Sequence, residues 1–137
     1  MNTHLRLMSV SLAVLGGILS SLLTAAPAKT PAMVYRVNEV WHDGFNYVQP
    51  GVADTTVRFY FGDPTYQPTA NVWIYHRFKA NLDEANKFDC HNLVIVFNDQ
   101  LRVKEIKLVN DEVVNVVMAL AKTNPAALPN ALHASND

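Results

Sequence analysis

The chain is poor in cysteine: Cys90 is the only one in 137 residues. A lone cysteine cannot form an internal disulfide, so a secreted domain built from this chain must be stabilised by packing. Cys90 also lies far downstream of the apolar N-terminal segment. Its position therefore excludes it as the lipid-carrying first residue of a mature lipoprotein.

Excess charge of either sign is also missing. Lysine and arginine together number 11, aspartate and glutamate number 12, and the formal net charge is −1. No cluster of basic residues forms the patch that nucleic acid requires. Binding to anionic lipid through charge alone is excluded for the same reason.

Known catalytic motifs are absent: the sequence contains no nucleophile elbow, no HExxH and no phosphate-binding loop. We therefore predict a protein that is not an enzyme, with no catalytic residues and no cofactor. His76, Cys90 and His91 are of metal-ligating types. However, Cys90 and His91 are adjacent, and adjacent residues on a strand point to opposite faces. Because zinc requires three or four converging ligands, we predict no metal site and expect Cys90 to be a small buried residue.

The N-terminus has the features of a secretory signal. Arg6 precedes an apolar run over 7–23, and small residues follow at 25–28. This pattern predicts a cleavable signal peptide over 1–28 and a periplasmic or secreted protein. The alternative is an uncleaved anchor, because the run is about long enough to span a bilayer. After cleavage we expect no transmembrane span.

The rest of the chain divides into three parts. Residues 29–33 are predicted to be a linker, 34–122 a single domain, and 123–137 a disordered tail, since the tail is rich in small residues and contains two prolines. Residues 65–71 have the composition of a loop.

Hydrophobic periodicity predicts the elements of the domain. The stretch 34–41 fits a helix and a strand about equally well. Further predicted elements are strands at Val72–Phe78, Leu93–Phe97 (central) and Leu101–Val109 (edge), and a last helix at Glu112–Ala121 capped by Asp111. In the first of these strands, Val72, Ile74 and Phe78 are expected on one face. The predicted fold class is α+β, with short helices packed on a three-stranded antiparallel meander plus a C-terminal helix.

The stretch GVADTTVRFYFGDP, at 51–64, predicts one short, punctuated helix. Asp54 or Thr55 is positioned to cap its first turn, and Val57 and Phe61 share a face because they are four residues apart. Gly62 is expected to adopt the left-handed conformation that ends a helix, and the proline two residues later prevents its continuation.

The spacing of this stretch also resembles a family. Small envelope proteins of the BamE (SmpA/OmlA) type carry G-x5-V-x4-G-x-P, then a W-x-Y strand and an apolar strand that ends in Phe. The matching residues here are Gly51, Val57, Gly62, Pro64, Trp73, Tyr75 and Phe97. The resemblance, which lacks the lipoprotein cysteine, implies two helices ahead of three strands. It also implies an envelope protein partner, peripheral association with the outer membrane, and a role in outer-membrane β-barrel assembly.

Aromatic residues supply the candidate contact surface. Trp41, Tyr47, Tyr60 and Tyr66 lie in or beside loops around the first helix, where such side chains either form interfaces or fill a small core. Trp73 and Tyr75 are expected to lie beneath the helices, the alternative being an exposed contact. The sequence thus predicts a secreted, non-enzymatic protein-binding module.

Two alternative functions stay open at this point. The first is an enzyme inhibitor similar to the β-lactamase-inhibitor proteins. The second is a small-ligand-binding periplasmic protein, which a deep pocket ringed by His76, Cys90 and His91 would support.

Overall fold

The computed structural model describes residues 30–42, 46–79, 86 and 89–137. Its strands are β1 (Val34–Val37), β2 (Val40–His42), β3 (Asn46–Val48), β4 (Tyr66–Thr69), β5 (Val72–Tyr75), β6 (Asn92–Phe97) and β7 (Val103–Val109). Its helices are α1 (Asp54–Phe61), α2 (Asp111–Thr123) and α3 (Leu128–Ala131), with a 3-10 turn at Pro125–Ala127. The predicted α+β class is confirmed. The predicted signal peptide over 1–28 lies outside the described residues.

Five strands form one antiparallel sheet in the order β1-β7-β6-β5-β4. Strands β5, β6 and β7 are the predicted meander, and β6 is central as expected. The prediction that the third strand is an edge strand is wrong, because β1 pairs along the outer side of β7. Its scattered charged residues suggested an edge, yet Lys107 is almost fully buried there.

Both edge strands come from stretches that the sequence left open or assigned otherwise. The stretch 34–41 contributes strands rather than a helix, because β1 finds a long-range partner in β7. The predicted loop at 65–71 contains β4, an edge strand that tolerates Pro68 although proline has no N–H to donate. The register of β4 against β5 is irregular. The predicted strand Val72–Phe78 ends early, since Arg77 has a positive φ of 55°.

Helices cover the two faces of the large sheet. Alternate residues of β5 divide between them, as the period of a strand requires. Trp73 and Tyr75 join the core cluster that includes Val57 of α1, while Val72 and Ile74 join the cluster beneath α2 and α3. Phe78 was expected on the side of Val72 but packs in the first cluster, because the chain turns after Tyr75.

The predicted disordered tail over 123–137 is wrong. Leu128, Leu132 and Ala134 are buried in the second cluster. Leu128 and Leu132 are four residues apart, so one helical turn brings both onto the sheet. Pro129 lies in the first turn of α3, where a missing N–H costs nothing.

Asn110, rather than Asp111, caps the last helix. Its side-chain oxygen accepts a hydrogen bond from the Val113 N–H at 3.3 Å. The same side chain also fixes the predicted linker: its oxygen accepts from the Met33 N–H at 3.2 Å and its amide donates to the Pro31 carbonyl at 2.7 Å. Residues 30–33 are thus part of the fold. In the described part of the chain, no helix has the length and apolar character needed to cross a membrane.

Candidate functional site

The motif helix α1 starts on tertiary hydrogen bonds instead of a side-chain cap. Ala53 occupies the N-cap position and has no side chain that could accept a bond. The Asp54 N–H donates to the Leu101 carbonyl at 3.0 Å, and the Gly51 N–H donates to the Val103 carbonyl at 2.7 Å. The prediction that Asp54 or Thr55 caps this helix is therefore wrong: no side chain caps it, and the carbonyl of Leu101, just before β7, accepts from the N–H of its first residue.

α1 ends at Gly62 with a positive φ, as the motif predicts, but the ψ of −167° lies outside the left-handed helical region. Gly62 has a φ of 78°, and its N–H donates to the Arg58 carbonyl at 2.8 Å. Gly51 also has a positive φ, 95°. A Cβ at either glycine would meet no atom within 4 Å, so backbone conformation alone requires glycine.

The motif aromatics Trp73 and Tyr75 lie in the core. Trp73 packs against Phe97 with ring centroids 4.6 Å apart, and the Arg58 guanidinium lies 4.9 Å from the Trp73 ring. Phe61 meets Tyr75 edge to face at 5.7 Å. Of the two alternatives for Trp73 and Tyr75, the structure supports coverage by α1, so these residues are not an exposed contact.

Trp41 and Tyr47 form an exposed aromatic pair. They lie opposite each other in the two-stranded sheet of β2 and β3 and stack with centroids 4.9 Å apart. Their exposed fractions are 49% and 40%. Val40 and Val48, the next residues along the two strands, are buried in the core. One face of this hairpin is therefore anchored while the other presents the rings to solvent.

The other predicted contact residues do not join this pair. Tyr60 is half-buried against the core, and Tyr66 lies on β4 with its ring 6.4 Å from that of His76. Sequence reasoning missed Phe59, which is 84% exposed on α1. Its position two residues from both Val57 and Phe61 is the available signal, because such a spacing points away from the buried face of a helix.

A cleft of about 690 Å³ lies where β5 ends and β6 begins. Its lining includes His76, Arg77, Lys79, Asp89, His91 and Asp111. Cys90 is buried and does not line it; its Sγ lies 3.7 Å from the Met33 carbonyl oxygen. Burial, followed by the nearby Asp89 carboxylate, raises the pKa of the Cys90 thiol to about 11. The cleft thus contains both predicted histidines but not the cysteine.

Asn92, which sequence reasoning missed, orients His76. The fully buried Asn92 amide nitrogen donates to Asp111 Oδ1 at 2.8 Å and to the Val109 carbonyl at 3.3 Å. The Asn92 side-chain oxygen must then face His76 Nδ1, which is 2.7 Å away. Because this oxygen can only accept a hydrogen bond, His76 Nδ1 carries the proton that is donated. In the neutral ring Nε2 is left as the acceptor. Because Asn92 and Asp111 occupy different elements, only the fold brings them to His76.

Among the described residues, no group of three His, Cys, Asp or Glu side chains converges to hold a metal ion. Comparison with family models, with curated proteins and with solved structures finds no match. The resemblance to the BamE type therefore stays a prediction based on the motif spacing. Among the described residues, two surface features could bind a partner or a ligand: an aromatic pair on a hairpin and a cleft with an oriented imidazole.

Proposed function

We propose that this chain is a non-enzymatic protein-binding module of the bacterial cell envelope, acting beside outer-membrane β-barrel assembly components. The observation that carries the proposal is the exposed stack of Trp41 and Tyr47. Tryptophan and tyrosine are enriched among the few residues that dominate binding energy at interfaces. The motif residues support the proposal through the family resemblance.

The β2–β3 hairpin is suited to display this pair. Trp41 and Tyr47 are direct cross-strand neighbours, and such aromatic pairs stabilise each other. The Trp41 indole N–H donates to Glu39 Oε1 at 3.2 Å, which further orients the ring. With Val40 and Val48 buried behind them, the rings lose little additional freedom when a partner covers them.

In-cell crosslinking tests this proposal. A photoreactive phenylalanine analogue replaces Tyr47 in the full chain, and adducts are identified by mass spectrometry. We expect a barrel-assembly component as the main adduct, and we expect Trp41→Ala to abolish it. Phe59→Ala is the control, because it removes an even more exposed aromatic ring from a different element, α1.

The same experiment separates the other protein-binding function. Recovery of a single hydrolase would favour the inhibitor hypothesis. A folded, exported chain that yields no adduct would contradict both.

The cleft favours a second candidate function, a small-ligand-binding periplasmic protein. Its oriented His76 can accept a hydrogen bond through Nε2, and Arg77 and Lys79 add donors nearby. The test is a small-molecule screen that follows the His76 and His91 imidazole resonances by NMR. A hit that shifts both, and that His76→Ala removes, would support this function. A screen without such hits would contradict it.

A further inference from the structure

The outer edge of β1 is occupied by residues from near the end of the sequence. β1 pairs with β7 along one side only. On its other side the Ser135 N–H donates to the Val34 carbonyl at 2.7 Å. Unpaired backbone groups on an edge strand form a template for another extended chain. Here a segment 100 residues away in sequence satisfies part of that template.

Asn136 uses its side chain as a substitute for a peptide group. Its Oδ1 accepts from the Arg36 N–H at 2.8 Å, and its Nδ2 donates to the Arg36 carbonyl at 3.0 Å. In an antiparallel sheet, a hydrogen-bonded residue pair exchanges the same two bonds. The Asn136 amide therefore occupies the position that a strand residue of an added chain would take.

The edge of β1 also carries a charged contact, at Arg36. The Arg36 guanidinium contacts Asp137 Oδ1 at 3.3 Å and also pairs with Glu105. His133 Nδ1 lies 3.9 Å from the other Asp137 oxygen. Residues 135–137 thus cover β1 with one backbone N–H, one side-chain amide and one carboxylate, while Ser135 and Asn136 themselves lie in a turn. An extended chain with a carboxylate at Arg36 offers the same kinds of contact.

Residues 135–137 are bound to β1 by contacts that a partner can displace. Arg36 and Asn136 are exposed, so water competes for each of their hydrogen bonds, and the net gain from each bond is small. The buried anchors of the segment are Leu132 and Ala134, which precede the part that lies on β1. Residues 135–137 can therefore leave the edge while Leu132 stays in the core.

We propose that the outer edge of β1 is a strand-addition site for an extended segment of a partner protein that places a carboxylate at Arg36. Residues 135–137 close this site until the partner displaces them. The surface differs from the Trp41–Tyr47 pair, so the inference does not rest on the function proposed above. Strand addition draws affinity from main-chain hydrogen bonds and specificity from side-chain contacts, here the contact with Arg36.

Peptide binding by full-chain variants tests the inference. Asn136→Ala and Ser135→Pro each remove hydrogen bonds to β1 and should open the edge. The probe is a fluorescent peptide with the sequence of residues 131–137, followed by anisotropy. Because closure lowers apparent affinity by the fraction of open molecules, we expect the variants to bind roughly ten-fold more tightly than the unsubstituted chain. The same peptide with lysine in place of Asp137 should bind several-fold more weakly.

Hydrogen exchange shows whether the edge has opened. The Arg36 amide should exchange faster in Asn136→Ala, whereas the control Asn130→Ala, an exposed asparagine on α3, should leave it unchanged. Unchanged exchange in both edge variants would overturn the proposed closure. Opened variants that bind no peptide would overturn the binding site, and an unsubstituted chain that binds as tightly as the variants would overturn its closure by residues 135–137. Dimers formed by exchanged segments would assign the edge to a second copy instead.

Discussion

The Tyr75 hydroxyl donates a hydrogen bond to the Gly62 carbonyl at 2.9 Å. This bond joins β5 to the residue that ends α1. Gly62 and Tyr75 both belong to the spacing that resembles the BamE type. Two positions of the motif thus meet in space, and the motif specifies how one helix attaches to the sheet.

Replacing Tyr75 with phenylalanine should therefore weaken this attachment. The change removes the hydroxyl and leaves the ring, so the Gly62 carbonyl loses its partner. We expect the free energy of unfolding to fall by about 1 kcal/mol, measured by urea denaturation. Tyr66→Phe is the control, because its exposed ring is on β4. Equal losses in the two variants would contradict a specific role for the Tyr75–Gly62 bond.

Alkaline pH should destabilise the protein. Burial, only partly offset by Arg58, raises the pKa of the Tyr75 phenol from 10.0 to about 12, and burial raises the pKa of the Cys90 thiol from 9.0 to about 11. Well below pH 9 both groups are neutral whether the chain is folded or unfolded. Above it the unfolded chain loses these protons first, so the free energy of unfolding falls as pH rises toward about 12.

Urea denaturation between pH 8 and pH 12 measures this loss. Tyr75→Phe should show a shallower decline above pH 10, since the phenol no longer contributes. A free energy of unfolding that stays constant across this range would be inconsistent with burial of the two groups.

Gly62→Ala should be destabilising although there is room for the methyl group. The φ of 78° with ψ of −167° is a region that residues with a Cβ rarely adopt. We expect a loss of about 1–3 kcal/mol in the free energy of unfolding. Asp63→Ala is the neighbouring control, because its ion pair with Arg58 is exposed and contributes little. If Gly62→Ala were as stable as the unsubstituted chain, the conformational role of this glycine would be refuted.

Glu105 should make stability sensitive to acid. Burial alone would raise the pKa of its carboxyl, but Lys107, followed by Arg36, outweighs this effect and lowers it from 4.5. The stabilisation is therefore complete above pH 4.5 and is lost as pH falls through the lower folded-state pKa. Glu105→Gln should cost about 2 kcal/mol at neutral pH, since it removes charged hydrogen-bond partners.

Denaturation at pH 7 and pH 3 distinguishes this effect from a general loss of packing. The difference in free energy of unfolding between Glu105→Gln and the unsubstituted chain should be smaller at pH 3 than at pH 7. The control Asp99→Asn, in the exposed turn before β7, should show no such difference at either pH. A gap of constant size would mean that the carboxyl charge is not the cause.

Much of the local structure could be predicted from the sequence. The helix over 54–61, its end at Gly62 and the three strands of the meander follow from hydrophobic spacing and turn residues within a few positions. The burial of Trp73 and Tyr75 followed from alternation along one strand. Of the candidate surface, the sequence named Trp41 and Tyr47 but not their stacking, which depends on cross-strand register.

What the sequence by itself determined was therefore short-range: a short helix that ends at Gly62, a meander and a set of aromatic candidates. Only the tertiary structure decided that 34–37 is a strand, that Leu132 is buried, that Asn92 links His76 to Asp111, and that Asn136 closes β1. Each of these depends on partners far apart in the chain. Local propensity is nearly neutral at such positions, so the energy of long-range pairing and burial selects the outcome.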